Sequence, residues 1–334
     1  MTRPHFSRGF TLIELMISLV LGLVVVGGVI SVLIANKSSY RANEGMSQIQ
    51  ESVRSAFELM ARDIRQTGGT GCDNARRMTT AFSTGTTQWW KTWATIQGFE
   101  ESQTDTAVAI GTAVGTRVAG TDSLHLHSIE GTGFPVDVHD PVGRTIKIND
   151  ATSTSFGASE NILICDFDHA AMFRAGAYTG GTTTLAYSTT GNCTTGLGFP
   201  VNCDGSTGNV YTFPRNSWMG RLSAMAWFVG NNGRTADGGR SLYRMRLGTG
   251  TTVNTEEVVA GVTDMEIQYS RNDVDTVVDA SSIVGAAEWA KVTAVFITLT
   301  IRSSDSNIST SSALNSGRLE RPFTYVVALR NRVP

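Results

Sequence analysis

The feature that most constrains this chain is an apolar run from Phe10 to Ala35, which contains one charged residue, Glu14. At 1.5 Å per residue, a helix over this run is about 39 Å long, enough to cross the hydrocarbon core of a bilayer. A carboxylate near the bilayer centre costs roughly 2.5–3.5 kcal/mol. We therefore expect residues 10–35 to form a membrane helix in which another interaction offsets the cost of the Glu14 carboxylate.

The residues before the run do not form an ordinary secretory signal. The leader, residues 1–9 (MTRPHFSRG), is short and basic, and its small residue, Gly9, precedes the apolar run instead of following it. Cleavage after Gly9 would leave the hydrophobic segment on the mature protein. Because Arg3 and Arg8 precede the span, the positive-inside rule predicts a cytoplasmic N-terminus and a globular part outside the cytoplasm.

The segment RGFTLIELMISLVLGLVVVGG, which begins at Arg8, resembles the N-terminal signal of type IV pilins and of type II secretion pseudopilins. The resemblance implies that a prepilin peptidase cuts between Gly9 and Phe10 and that the new amine of Phe10 is N-methylated. It also implies that Glu14 is the acid that this family uses in filament assembly.

Electrostatics gives a reason for Glu14. Cleavage would place a positive amine on Phe10 at the positive end of the helix dipole, which is unfavourable. Glu14 lies one turn later on the same face and offsets that charge. In a filament core the carboxylate can instead pair with the amine of a neighbouring subunit, where a low dielectric strengthens the attraction. The alternative is a plain membrane anchor in which Glu14 snorkels to the interface.

The helix is predicted to continue beyond the membrane over residues 36–66. Glu58 and Arg62 are spaced for an i,i+4 ion pair, and Gly68-Gly69 is a natural stop. Apolar residues recur at steps of three and four, which predicts an apolar stripe that packs on a sheet. These residues are Met46, Ile49, Val53, Phe57, Met60 and Ile64.

Residues 67–334 are predicted to form a β-rich globular domain. The low charge (17%) and 35 glycines fit a loop-rich domain outside the cytoplasm. The alternating segment at 291–303 is the clearest strand, and 230–239 (GNNGRTADGG) is predicted to be a hairpin loop. A long helix followed by antiparallel strands makes the fold class α+β. Other strand-like segments are 122–128, 161–165, 171–175, 221–230, 241–247, 264–270 and 323–329.

Four cysteines are present, without a CxxC motif. In an exported chain this number predicts two disulfides. Cys193 and Cys203 lie in one turn-rich segment, so we favour a Cys193–Cys203 pair, which leaves Cys72 to pair with Cys165. The alternative is that all four are reduced, buried thiols.

Three C-terminal segments, VVAGVTDMEIQYS, KVTAVFITLTIRSS and RPFTYVVALRNRVP, resemble PilW-type minor pilins. LMARDIRQTGGTGC at the predicted helix end and ILICDFDHAAMFRA around Cys165 resemble them as well. Residues 75–120 and 175–215 carry no such resemblance. J-type pseudopilins of type II secretion share the architecture but are usually much shorter.

Nothing in the sequence predicts catalysis. His125 and His127 share a strand face and could bind a metal, but surface or packed histidines are favoured over a metal site. The DFDH segment, Asp166–His169, is interpreted as a polar turn. The loop 231–239 lacks the acids of a calcium loop. We expect no enzymatic activity, cofactor or metal; the chain is a substrate of the peptidase.

The PilW resemblance implies a structural minor pilin that helps to prime assembly of the type IV pilus, or fimbrium, sits at or near its tip and serves twitching motility. It implies a single-pass inner-membrane protein with a periplasmic domain, later part of the extracellular pilus. The implied partners are other minor pilins, the major pilin, the inner-membrane assembly platform, the prepilin peptidase and, as a further candidate, a tip-associated adhesin.

Two alternatives stay open at this point. The first is an adhesive or DNA-contacting module that uses Trp89, Trp90 and Trp93, although packing is favoured for these rings and a net charge of −2 disfavours nucleic acid. The second is a J-type pseudopilin.

Overall fold

The computed structural model describes residues 11–68, 77–83, 88–149, 156–235, 238–306, 308 and 317–330. The chain divides into two units. The first is drawn from Met1–Gln50 and Ser303–Leu319, and the second from Glu51–Arg302 and Glu320–Pro334.

One long helix, α1, extends over Leu12–Gln66 and measures about 83 Å at 1.5 Å per residue. The predicted helix is therefore confirmed. In the second unit its apolar stripe is buried, and the ring of Phe57 stacks on Tyr325 with centroids 3.9 Å apart. Glu58 accepts a hydrogen bond from Arg54 at 2.9 Å, and not from Arg62 as predicted. Both arginines lie one turn from Glu58, so spacing alone could not choose between them.

The larger sheet has ten strands in the order β10-β9-β8-β5-β6-β7-β4-β3-β2, with β1 added in parallel to β6. All its other pairings are antiparallel. The strands are β1 (Arg77–Thr80), β2 (Ile96–Phe99), β3 (Ser123–Asp140), β4 (Thr145–Ile148), β5 (Asn161–Cys165), β6 (His169–Thr179), β7 (Thr184–Tyr187), β8 (Trp218–Asn231), β9 (Arg240–Leu247) and β10 (Val253–Ala260).

Six of these strands close into a small barrel, because β3 pairs with β4 at one end of the series and with β8 at the other. The register of β3 against β8 shifts between Glu130 and Phe134, and such a bulge bends a strand toward closure. Fully buried residues, among them Ile162, Phe173 and Met219, form its core. Each of the six strands therefore has a neighbour on both sides.

The smaller sheet has the antiparallel order β12-β11-β13-β14. Its strands are β11 (Val262–Arg271), β12 (Val274–Asp279), β13 (Val292–Arg302) and β14 (Glu320–Ala328). A short helix, α2 (Ala286–Trp289), precedes β13, and single 3₁₀ turns cover Trp89–Lys91, Gly180–Thr182 and Ala280–Ser282. The alternation predicted for β13 is confirmed, since Val295, Ile297, Leu299 and Ile301 are buried and the residues between them are half-buried.

The long helix and the two largely antiparallel sheets confirm the α+β fold class. In the first unit, the segment that follows β13 lies against α1. Ser304 donates a hydrogen bond to Gln48 at 3.0 Å, and Ile308 lies so close to Gly45 that a Cβ there would be 2.8 Å from its Cδ1.

Candidate assembly site on the N-terminal helix

The N-terminal half of α1 presents apolar side chains in every direction. Its large hydrophobic residues are exposed by 50% or more, from Leu12 at 79% to Ile34 at 64%. Among the described residues, α1 is the one helix that is long and apolar enough to cross a membrane. Exposed apolar surface of this extent is unfavourable in water, so this segment requires lipid or other apolar helices around it.

The hydroxyl groups of the two serines in this segment find hydrogen-bond acceptors within the helix itself. The hydroxyl of Ser18 donates to the carbonyl of Glu14 at 2.7 Å, and that of Ser31 donates to the carbonyl of Gly27 at 2.9 Å. Such bonds to the preceding turn allow serine to enter an apolar medium. The Glu14 carboxylate is the one charge between Leu12 and Ala35.

Thr11 caps the start of α1. Its carbonyl accepts hydrogen bonds from the amides of Glu14 at 3.1 Å and Leu15 at 3.2 Å, and its hydroxyl lies 3.4 Å from the amide of Glu14. Thr11 and Glu14 thus have the T-x-x-E spacing of a capping box. No role was predicted for Thr11 from the sequence, although the spacing is visible in TLIE. Glu14 occupies the first turn, where a negative charge is favoured by the helix dipole.

Gly9 and Phe10, the predicted cleavage and methylation residues, lie outside the described residues. Of the three predicted processing and assembly residues, the structure therefore places Glu14 alone.

The cysteines agree with part of the predicted pairing. Cys193 and Cys203 form a disulfide with Cα atoms 5.1 Å apart. Cys165 is fully buried at the end of β5 and is also disulfide-bonded. Its predicted partner, Cys72, lies outside the described residues, so that pair stays a prediction. The alternative of four reduced thiols is excluded for the three described cysteines.

The end of α1 is tied to strand β9 by a buried ion pair. Arg244 Nη1 donates to Asp63 Oδ2 at 3.1 Å, and Asp63 is 6% exposed. Burial raises the pKa of Asp63, and the guanidinium of Arg244 opposes that shift. Arg244 also lies over the ring of Trp227, 5.4 Å from its centroid, and binds Glu256. These contacts fix the last turns of α1 on β9 within the second unit.

His125 is a packed histidine, the second of the two environments that we favoured over a metal site. Its Nε2 lies 2.8 Å from Asp105, whose other oxygen accepts a hydrogen bond from Ser123 at 2.5 Å. The serine contacts the carboxylate and not the imidazole, and all three residues are buried, so this is not a nucleophilic triad.

His127 is buried as well, and its Nδ1 is 2.7 Å from the carbonyl of Ala94. Burial lowers the pKa of His127 to about 4, which keeps the ring neutral. No cluster of three or more His, Cys, Asp or Glu that could hold a metal occurs within the described part of the chain.

The DFDH segment is a polar turn, as interpreted from the sequence. Asp166 Oδ1 accepts hydrogen bonds from the amides of Asp168 and His169 at 2.8 and 2.7 Å, which closes the turn before β6. Its Oδ2 accepts a hydrogen bond from the Tyr211 hydroxyl at 2.6 Å.

The predicted hairpin is also found, since β8 and β9 pair in antiparallel fashion with Asn231 opposite Arg240.

The tryptophans pack in the interior, as favoured from the sequence. Trp89 and Trp90 are 8% and 1% exposed, and Trp90 meets Phe82 edge-on with centroids 4.9 Å apart. Trp93 is half-buried.

Two comparisons with family models match the chain. The model of type IV pilus-assembly protein W (PilW) matches residues 226–331, and the model of the prokaryotic N-terminal methylation motif matches residues 5–30. Searches of curated proteins and of solved structures find no match. The PilW match extends from the end of β8 through the smaller sheet, and the other match covers the start of α1.

The resemblance to a PilW-type pilin with an N-terminal methylation signal is thus confirmed. Both models point to a structural, non-enzymatic component of the type IV pilus. The methylation signal and the apolar helix fit a membrane-anchored pilin, and the similarity to pilins implies, in general terms, interaction with other pilus components.

Proposed function

We propose that this chain is a minor pilin that primes type IV pilus assembly and remains at or near the pilus tip. The observation that carries the proposal is Glu14, a single carboxylate in the first turn of an exposed apolar helix. A helix that only anchors the domain would gain nothing from it, whereas a helix that joins others through a charge pair requires it.

The proposed pairing begins with cleavage after Gly9. The methylated amine of Phe10 then starts each mature helix, and the Glu14 carboxylate of one subunit meets the amine of the next. Because the surrounding side chains are apolar, the pair forms in a low dielectric and sets the axial register of neighbouring helices. An amine left without its acid in that core costs several kcal/mol.

In this proposal the helix first anchors the chain in the inner membrane, with the domain in the periplasm. The prepilin peptidase acts at the cytoplasmic side, and the assembly platform then moves the subunit into the filament. Other minor pilins and the major pilin are the partners of α1, and a tip-associated adhesin is a candidate partner of the domain.

The test is incorporation of a Glu14→Ala variant, produced in cells that lack the wild-type chain. Membrane insertion and folding should be intact, because the substitution removes a carboxylate that is costly in lipid. We expect normal protein level, normal cleavage and loss of the variant from sheared filaments on immunoblots. Glu14→Gln should behave like Glu14→Ala if charge pairing dominates. A matched control is Glu44→Ala, which removes an exposed carboxylate of α1 beyond the apolar segment.

Incorporation of Glu14→Ala at the wild-type level would show that Glu14 is only an anchor residue.

The position of the chain in the filament and its role in priming need separate measurements. Immunogold labelling should mark one end of each filament, and label along the shaft would contradict a tip location. Deletion of the chain should lower the number of filaments without shortening them, as expected for a nucleating component.

A further inference from the structure

A shallow cleft of about 360 Å³ lies between the segment around β2 and the segment that leads into β13. Trp93 and Gln97 line it on the first side, and Ala286 and Trp289 on the second. Its volume is at the low end of the range typical of small-ligand sites.

The described residues that line the cleft carry no charge. The aromatic surface comes from Trp93, which is half-buried, and from Trp289, which is 4% exposed and packs edge-on against Tyr269. The polar side chains are the carboxamides of Gln97 and Gln103 and the hydroxyls of Thr92 and Ser281. The side chain of Gln97 makes no hydrogen bond with the described residues. Gln103 uses its Oε1 to accept the amide of Glu100 at 2.9 Å, which leaves its NH₂ group available.

Both sides of the cleft are held in place by buried contacts. The imidazole of His127 packs against Trp93 with centroids 5.7 Å apart and bonds to the carbonyl of Ala94, which fixes the loop that carries Trp93. The buried guanidinium of Arg117 donates to the carbonyl of Gln103 at 3.2 Å. Glu100 accepts the amide of Ala280 at 2.6 Å and thereby links the two sides. The cleft is therefore preformed.

We infer that this cleft binds a neutral saccharide, a function beyond filament assembly. A pyranose ring has an apolar face of C–H groups that packs on an aromatic ring, and its hydroxyls both donate and accept hydrogen bonds. A carboxamide also does both, so Gln97 and Gln103 match adjacent hydroxyls. The small side chains of Ala94 and Ala286 line the cleft beside Trp93, whose half-buried ring is the aromatic surface for the sugar.

The absence of charge from the described lining argues against other ligands. Nucleic acid would require cations for its phosphates, and an acidic sugar would require a basic partner. A proline-rich peptide also uses aromatic-lined grooves. It would extend beyond a cleft of this volume, so a compact neutral ring system fits better.

The experiment uses the full chain in phospholipid nanodiscs, which avoids detergents with sugar headgroups. Saturation-transfer NMR is recorded with cellotriose, chitotriose and lactose at millimolar concentration. We expect transfer to at least one of them and a Kd that rises at least tenfold in Trp93→Ala. Ala286→Phe, at an exposed position of α2, should fill the cleft and weaken sugar binding to a similar extent. This variant replaces Trp93→Ala in the test if Trp93→Ala does not fold.

The matched control is Phe167→Ala, which removes a ring that is 83% exposed and does not line the cleft; its Kd should equal that of the wild type. Three results would overturn the inference: no transfer to any of the three sugars, the same Kd in the wild type and in both cleft variants, or binding of a proline decamer that Ala286→Phe abolishes while no sugar binds.

Discussion

The hydroxyl of Tyr269 occupies the space that a side chain at Gly98 would need. Tyr269 lies on β11 of the smaller sheet and is fully buried. A Cβ at Gly98 on β2 would overlap the phenolic oxygen of Tyr269. The hydroxyl has no hydrogen-bond partner among the described residues. The two sheets therefore approach each other at a point where a glycine is required by a close contact and not by its backbone angles.

Gly98→Ala should destabilise the domain, because the tyrosine ring is enclosed and cannot move aside. Overpacking of this kind costs about 1–3 kcal/mol. Urea unfolding followed by tryptophan fluorescence measures the change. Tyr269→Phe removes the hydroxyl but leaves Cζ 2.6 Å from the added Cβ, so the double variant should recover only part of the loss. Gly181→Ala is the control, since a Cβ there meets nothing within 4 Å. If Gly98→Ala and the double variant lose the same unfolding free energy, the contact with the Tyr269 hydroxyl is not the cause of the destabilisation.

The buried pair of Asp63 and Arg244 predicts a second stability effect. Arg244→Met would leave the Asp63 carboxylate buried without its cation, which typically costs about 3–5 kcal/mol. The loss should shrink as the pH falls, because burial raises the pKa of Asp63 and protonation removes the unpaired charge. Arg54→Gln is the control, since it breaks a pair whose side chains are 81% and 67% exposed. If Arg244→Met and Arg54→Gln lower the unfolding free energy by the same amount, Arg244 does not anchor α1.

Much of the secondary structure could be predicted from sequence where burial follows a simple period. The 3.6-residue stripe of α1 and the alternation of Val295 to Ile301 are of this kind. Strands β10 and β12 were not predicted because they are mostly exposed, and the sequences VNTEEVVA and VDTVVD show no buried face. Their strand conformation is set by pairing with β9 and β11 instead.

The barrel could not be predicted, since its closure depends on pairing between distant parts of the chain. Leu124 on β3 lies opposite Trp227 on β8, and no local pattern specifies such a partner. The same holds for the cleft, whose sides come from segments almost two hundred residues apart. At the candidate assembly site, Glu14 stood out because it is a charge in an apolar run. Thr11 is a common polar residue, and only its bonds to the first turn reveal its role.

The buried carboxyl group of Asp122 should make the folded protein less stable as the pH rises. It is buried between the start of β3 and strand β11, where its Oδ2 accepts the amide of Ile267 at 2.7 Å. Burial raises the pKa of Asp122 from 3.8 to about 7. The folded protein therefore holds an extra proton between these pH values. The unfolding free energy should fall as pH rises through this range, by up to about 4 kcal/mol.

Asp122→Asn keeps an oxygen for Ile267 and cannot ionise, so this decline should disappear from its urea-unfolding profile. His127 and His139 act in the opposite direction, since burial lowers the pKa of each to about 4 and stability is lost as pH falls from 6.5. Both histidines remain in the variant, so their effect cancels in the difference. Asp275→Asn, at an exposed carboxylate, is the control. Parallel profiles for the wild type and Asp122→Asn would refute the prediction.

The second disulfide is predicted to join Cys72 to Cys165. We expect non-reducing peptide mapping to recover a peptide that joins Cys72 to Cys165, beside the Cys193–Cys203 peptide. On the chain-entropy estimate, the loop closed by Cys72 and Cys165 stabilises the domain by about 4.5 kcal/mol, and the short Cys193–Cys203 loop by about 3 kcal/mol. Cys72→Ser should therefore lower the urea midpoint more than Cys203→Ser does. It should also leave Cys165 as a thiol that reacts with iodoacetamide once the domain is unfolded. A Cys72 that is already alkylated in the folded wild type, or a Cys165 linked to a second chain, would show that the assignment is wrong.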